Sequence, residues 1–457
     1  MSSPQNADAF LLFGATGDLA RKKIFPALYK LTLGGQTEIS IIGIARRPWT
    51  DKELIERVRE SIKEYAGDDV DKAALDNLCD RVSYISCNYT STEDWQQVST
   101  AVNDFKLPVS FLAIPPSLFD DVVEGLASID ITKEARVIIE KPFGRDLESA
   151  KELNKTLLRH LDESQIFRID HFLGKEPVQN LMVFRFANSL LEPVWNRHHV
   201  GSVSITMTES FGLEGRGAFY DKVGAIRDVV QNHLLQVVSL LAMEPPSSSE
   251  PAATLDEKVK VFRAMKAIEE ADIVRGQFSG YRDEDGVAKD SDTETFTAAT
   301  LEVDSWRWAG VPFAIRTGKA LKKTLTEAVI EFKQPPRMLF SEANDCPAPN
   351  RLVFRMKPDD EITLTMQAKV PGMKMVSKAV DLSVAYEEQL GDGPDAYERL
   401  IADALIGDER LFTRQDGVEE AWRVVEPILN PSKPAVEYKP GTWGPPEADK
   451  FGGIPQE

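Results

Sequence analysis

The chain has 457 residues, 42% hydrophobic and 28% charged, enough for a sizeable core and for two domains rather than one. Its net charge of −19 argues against a duplex-binding protein, but not against an anionic small substrate, which needs only a local cluster of Lys and Arg. Cys79, Cys87 and Cys346 are too few and too scattered for a disulfide framework or a zinc site, the N-terminus lacks signal-peptide character, and the apolar runs are too short to span a bilayer. The expected setting is the cytoplasm, with no metal.

Ala9–Phe13 reads as a buried strand, followed by GATGDLA at Gly14–Ala20 and a helical pattern through Leu19, Ile24, Leu28 and Leu31. A strand, a glycine turn and a helix can cradle a pyrophosphate. Small residues admit the phosphate to the backbone, and the helix start offers free N–H groups. Gly14, Ala15, Thr16, Gly17, Asp18 and Leu19 are therefore candidate cofactor contacts, with Asp18 expected to cap the helix. The spacing is GxxGxxA rather than GxGxxG, so a purely structural turn is an equal reading of this element taken alone.

The second strand, Ile39–Ala45, ends in Arg46-Arg47. An acidic residue at this place holds a ribose 2′-hydroxyl, whereas arginine accommodates a 2′-phosphate. Arg46 therefore points to NADP. The rhythm continues with a capping box at Thr50–Glu53, a strand at Val82–Ser86, a helix at Thr92–Val102 and a strand at Val109–Ile114. A helix from Ser117, a strand at Arg136–Glu140, a helix from Asp146 to about Leu161 and a strand at Ile166–Ile169 complete it. Alternating strands and helices predict a doubly wound, Rossmann-like parallel sheet over residues 1–170. Ligands of such sheets sit beyond the carboxyl ends of the strands, where Gly14, Arg46, Pro115, Lys141 and Asp170 all fall.

From residue 171 the pattern changes. A helix through Val178, Leu181, Met182 and Arg185 precedes an alternating strand at Val203–Thr208. Strand-like runs recur at Phe296–Val303, Ala328–Phe332, Leu352–Met356 and Ile362–Ala368, so residues 171–457 should form a larger domain with a mainly antiparallel sheet. Gly224–Glu244 reads as one long helix with an apolar stripe of Ile226, Val230, Leu234, Val237 and Leu241. At 3.6 residues per turn, Asp228 and His233 would point in different directions and would not pair.

Arg168–Asn180, RIDHFLGKEPVQN, packs Asp170, His171, Lys175 and Glu176 around Gly174. This string resembles the active-site signature of the glucose-6-phosphate dehydrogenase family. EKPFG at Glu140–Gly144, RDVVQNHLL at Arg227–Leu235, WAGVPFAIRTGKAL at Trp308–Leu321, DAYERL at Asp395–Leu400 and WGPPEAD at Trp443–Asp449 are similar to the same family. The resemblance implies oxidation of glucose 6-phosphate at C1 with NADP, as the first step of the pentose phosphate pathway, by a homodimer or homotetramer. It implies that His233 accepts the proton, with Asp170 as its partner, and that His171 and Lys175 bind the 6-phosphate. Glu209, Asp228 and Lys319 would hold hydroxyls or phosphate, and Lys141, whose bond to Pro142 the resemblance implies could be cis, would contact both ligands. DAYERL and WGPPEAD are read as packing. Two residues depart from the family pattern: Phe172 stands where a Tyr is usual, and Thr324 where a basic residue is common, with Lys322 and Lys323 nearby. A dehydrogenase of another sugar or sugar phosphate, or a silent NADP or sugar-phosphate sensor, are the other readings.

Overall fold

The computed structural model describes residues 6–336, 340, 348–386, 391 and 393–453, except 68 and 134. Cys346 lies outside the described residues. The chain divides into two compact units, and a cut at residue 170 does not reveal the makeup of the first. That unit takes in residues 1–176 and also segments 247–255 and 394–419; the second holds the remainder.

The first unit is a six-stranded sheet in the order β3-β2-β1-β4-β5-β6, every neighbouring pair parallel. β1 is Ala9–Phe13, β2 Ser40–Ala45, β3 Val82–Ser86, β4 Pro108–Leu112, β5 Arg136–Glu140 and β6 Ile166–Ile169. β1 and β4 are buried along their whole length because helices cover both faces. The strand order turns back beside β1, which is the place where such sheets hold dinucleotides.

The Thr50–Glu53 box forms, with Thr50 accepting from the Glu53 amide at 3.4 Å and the Glu53 carboxylate accepting from the Thr50 amide at 2.7 Å. Asp146 caps its helix through the Ser149 amide at 2.8 Å, but that helix ends at Leu157, short of Leu161. A helix at Lys72–Cys79, absent from the sequence reading, is capped by Asp71. Asp18 does not cap; it sits exposed inside the first helical turn, 3.8 Å from Lys22, while Gly17 accepts the first helical bond from Arg21.

The second unit holds a nine-stranded sheet in the order β14-β13-β12-β11-β7-β10-β9-β8-β15. β7 is Val200–Thr208, β8 Ile273–Phe278, β9 Phe296–Glu302, β10 Pro312–Gly318, β11 Leu325–Phe332, β12 Arg351–Lys357, β13 Glu361–Lys369, β14 Ser377–Ala385 and β15 Val436–Tyr438. Most pairings are antiparallel; β10 with β7 and β15 with β8 are parallel. The sequence reading missed β8, β10, β14 and β15. β14 alternates Val380, Leu382 and Val384 with Asp381 and Ser383, a strand pattern the sequence reading passed over, although the strand is almost wholly exposed. The helix from Gly224 is not one α-helix. Ile226–Leu234 is a π-helix and Leu235–Ala242 continues as an α-helix. In a π-helix amides bond five residues back rather than four, so the argument from 3.6 residues per turn does not apply to Asp228 and His233. Among the described residues no helix is long and apolar enough to cross a membrane.

Candidate active site

Gly14 closes β1 with φ +80°, and its amide donates to the Ile44 carbonyl at 2.8 Å. A Cβ here would stand 2.2 Å from the Ala113 carbonyl oxygen, so only glycine lets the turn lie this close to the loop after β4. Gly17 donates back to the Gly14 carbonyl at 2.9 Å. Its φ is not left-handed, and an added Cβ would meet nothing nearer than 3.1 Å. The helix that follows begins at Asp18 and runs into a π turn at Ala20–Ile24, so that its first amides face the glycine turn, the Gly17 amide alone being taken up by Gly14. Arg46 is exposed just past β2, with no hydrogen-bond or ion-pair partner among the described residues, while Arg47 lies over the Trp49 ring at 5.7 Å. A backbone cradle and an unengaged guanidinium beyond adjacent strand ends fit a dinucleotide carrying a 2′-phosphate.

Further along the same sheet edge, Lys141 leads into a cis peptide bond to Pro142. The Glu140 carboxylate accepts the Lys141 amide at 3.1 Å and the Tyr397 hydroxyl. Burial pushes the Glu140 carboxyl up to about 7, and nearby Asp170 adds to the effect, while Tyr397 and Lys141 oppose it. After β6 the chain turns tightly. Asp170, 2% exposed, accepts the Phe172 amide on Oδ1 at 3.0 Å, and its carbonyl accepts the Leu173 amide at 2.9 Å. The Lys175 ammonium sits 4.7 Å from the centroid of Phe172. The aromatic ring thus still supports the lysine by a cation–π contact where the usual tyrosine would add a hydroxyl. Arg168, at the head of the motif, belongs to the core rather than to the site: it is fully buried and forks onto Glu163 at 2.6 and 3.0 Å.

In the second unit, Glu209 follows β7 and Lys319 follows β10; the two strands are paired, and their side chains form an ion pair. Lys319 is 6% exposed, with its ammonium 5.0 Å from the Tyr220 ring centroid. Burial pushes the Tyr220 phenol well above its ordinary value, and the carboxylates of Asp228, Glu294 and Glu209 push the same way. Lys319 therefore lies against this buried ring, and the charges of Glu209 and Asp228 act on it. His233 lies on the buried face of the π-helix. That helix is anchored by Glu294, which accepts the Ile226 amide at 3.0 Å, and by Gly224, where a Cβ would come within 2.4 Å of Glu294. Thr324 accepts the Ser210 amide at 2.9 Å, so the residue at the usually basic position ties down the strand end next to Glu209.

The sequence reading missed Glu140, Tyr397 and Tyr220 as parts of these surroundings. The first two lie inside EKPFG and DAYERL, whose strings were noted but whose side chains were read only as flanks or packing. Tyr220 had no sequence signal.

A parallel sheet of this strand order with a glycine turn beyond β1, joined to a second unit that holds a buried ammonium, is the architecture of the dinucleotide-dependent oxidoreductases. The family models agree. "Glucose-6-phosphate dehydrogenase, NAD binding domain" matches residues 11–180, and "Glucose-6-phosphate dehydrogenase, C-terminal domain" matches residues 182–453. The glucose-6-phosphate 1-dehydrogenase 1 of Mycobacterium tuberculosis (strain CDC 1551 / Oshkosh) is 41% identical over 97% of this chain and 94% of its own. The Arabidopsis thaliana protein named glucose-6-phosphate 1-dehydrogenase 6, cytoplasmic, is 39% identical over 97% of this chain and 90% of its own. A solved glucose-6-phosphate dehydrogenase in complex with its substrate glucose 6-phosphate superposes with a TM-score of 0.92 at 37% identity, covering 99% of this chain and 98% of that one. The chain belongs to the glucose-6-phosphate dehydrogenase family and is an NADP-dependent oxidoreductase of it.

Proposed function

We propose that this protein oxidises D-glucose 6-phosphate at C1 to 6-phospho-D-glucono-1,5-lactone. A hydride passes from C1 to NADP, which is the chemistry the bound cofactor supplies. The C1 hydroxyl gives its proton to His233 as the ring C=O forms. Imidazole is the side chain whose ordinary pKa suits a base at neutral pH. Asp170 is its partner carboxylate, selecting the tautomer and stabilising the imidazolium as an acid does beside the histidine of a hydrolase. His171 and Lys175 hold the 6-phosphate, and Glu209, Asp228 and Lys319 hold sugar hydroxyls or phosphate. Lys141 stands between sugar and cofactor. Gly14 to Leu19 carry the pyrophosphate, and Arg46 the 2′-phosphate.

The observation that carries the reading is the Gly14 cradle with an unengaged Arg46 on a chain of this family. The first unit then serves as the NADP domain. The second serves the substrate and, we propose, assembly into a homodimer or homotetramer. Supporting assembly, β13 and β14 expose Met366, Val380, Leu382 and Val384 on one face. Placement in the cytoplasm, in the oxidative entry to pentose phosphates, is in keeping with the name of the Arabidopsis relative and with two buried free thiols. The test is NADPH formation with glucose 6-phosphate against free glucose. Equal turnover of both would favour a free-sugar dehydrogenase, and none with either would favour a sensor.

A further inference from the structure

Glu140 stands at the carboxyl end of β5, one residue before Lys141. Its two oxygens are used by two different elements: Oε1 accepts the Tyr397 hydroxyl from the helix Ala396–Ile406, and Oε2 accepts the Lys141 amide at 3.1 Å. The Tyr397 ring lies nearly parallel to the His171 ring, 8° between planes and 6.3 Å between centroids. The start of the same helix presses on the His171–Lys175 turn so closely that a Cβ at Gly174 would be 2.7 Å from the Ala396 carbonyl oxygen. One part-buried carboxylate therefore links the turn carrying Lys141 to the turn carrying His171 and Lys175.

We propose that Glu140, working through Tyr397, is a positioning residue that holds Lys141 and the His171–Lys175 turn in register for the sugar phosphate, and does so fully only when ionised. The proposal rests on the glucose 6-phosphate reading above. Both hydrogen bonds need an acceptor, and a carboxylate offers acceptors only; a protonated carboxyl must commit one oxygen as a donor. The groups facing Glu140 are Tyr397 on its helix, Lys141 on the adjoining turn and Asp170 beyond β6; Asp395 acts further off, through Tyr397. Lys141 favours the ionised form, while burial and Asp170 oppose it, so the group changes charge close to neutrality. Its ionisation should therefore appear in the acid limb of kcat/KM for the sugar phosphate.

The experiment is the pH profile of kcat and KM for glucose 6-phosphate in wild type, Glu140→Gln and Tyr397→Phe, with NADP saturating. Glu140→Gln keeps the shape but sets an amide in place of one acceptor. KM should rise about tenfold at pH 8, roughly the worth of one hydrogen bond to a charged group, with kcat changing less. The acid limb assigned to Glu140 should disappear. Tyr397→Phe removes one donor to the carboxylate and keeps the ring beside His171, so the limb should move to higher pH by about one unit. Active variants whose profiles superimpose on wild type overturn the proposal. If Glu140→Gln does not fold, an unmoved limb in Tyr397→Phe overturns it alone. A wild type that does not turn over glucose 6-phosphate at all removes instead the functional reading beneath it, so the two failures are distinguishable.

Discussion

Replacing Gly14 by alanine tests whether the cofactor turn is held by close approach or merely happens to contain glycine. The substitution meets two obstacles. A φ of +80° costs a side-chain-bearing residue about 1–2 kcal/mol. The new methyl would also lie 2.2 Å from a backbone carbonyl, Ala113, which cannot swing aside as a flexible side chain can, and overpacking of this kind costs about 1–3 kcal/mol. Together these predict a loss of about 2–5 kcal/mol. For a unit of this size that corresponds to a fall in melting temperature of roughly 5–15 °C. The turn must also move outward, so KM for NADP should rise at least about tenfold while KM for the sugar phosphate changes little. Gly17→Ala is the control, since its backbone is not left-handed and its nearest neighbour is 3.1 Å away; a loss under about 1 kcal/mol is expected. Thermal unfolding and initial-rate kinetics on the two variants decide the matter. Equal effects from both, or a Gly14 variant that melts and binds NADP as wild type does, would refute the close-approach argument.

Arg46→Asp should raise KM for NADP by about 10–100-fold, the worth of one or two charge-assisted contacts, and leave KM for NAD much less affected; parallel changes for both cofactors would remove the 2′-phosphate assignment. Lys175→Ala should act mainly on KM for glucose 6-phosphate, and a fall in kcat at unchanged KM would reverse its role. Glu140 also makes a stability prediction. Its carboxyl is raised to about 7 in the folded chain, so the folded state keeps a proton that the unfolded chain releases near pH 4.5. Stability from this group is therefore complete below pH 4.5 and lost as pH rises through 7, by up to about 3 kcal/mol. Melting temperatures of wild type and Glu140→Gln measured from pH 4.5 to 8 should diverge in that direction, and parallel curves would mean that the carboxyl is not perturbed.

The parallel sheet was legible because each of its strands is a short apolar run closed by a turn residue, and the Thr50 and Asp146 caps mark helix starts by local chemistry alone. The second sheet was only partly legible. β10 begins at Pro312 and is almost continuously buried, so it lacks the alternation that betrays a strand, whereas β14 alternates Val380, Leu382 and Val384 with Asp381 and Ser383 and was overlooked although its pattern is present. The return of 394–419 to the first unit leaves no mark in a linear pattern, since it depends on contacts such as Arg136 donating to the Ala404 and Leu405 carbonyls at 3.0 and 2.8 Å. The candidate site residues were read from strings. Their partners were not, because Tyr397 and Tyr220 owe their roles to which side chain folding brings beside them. The π register under His233 also escaped, since the apolar stripe of Ile226, Val230 and Leu234 fits an α-helix as well.

The central claim is that His233 removes the C1 hydroxyl proton while hydride leaves the sugar. Its most direct measurement is the rate of NADPH formation from glucose 6-phosphate by wild type and His233→Asn, with both substrates saturating and the folded state checked by melting. The account predicts that kcat falls about 10²–10⁴-fold, the usual contribution of a general base, with KM for the sugar phosphate nearly unchanged. A folded His233→Asn enzyme that keeps a wild-type kcat would contradict it.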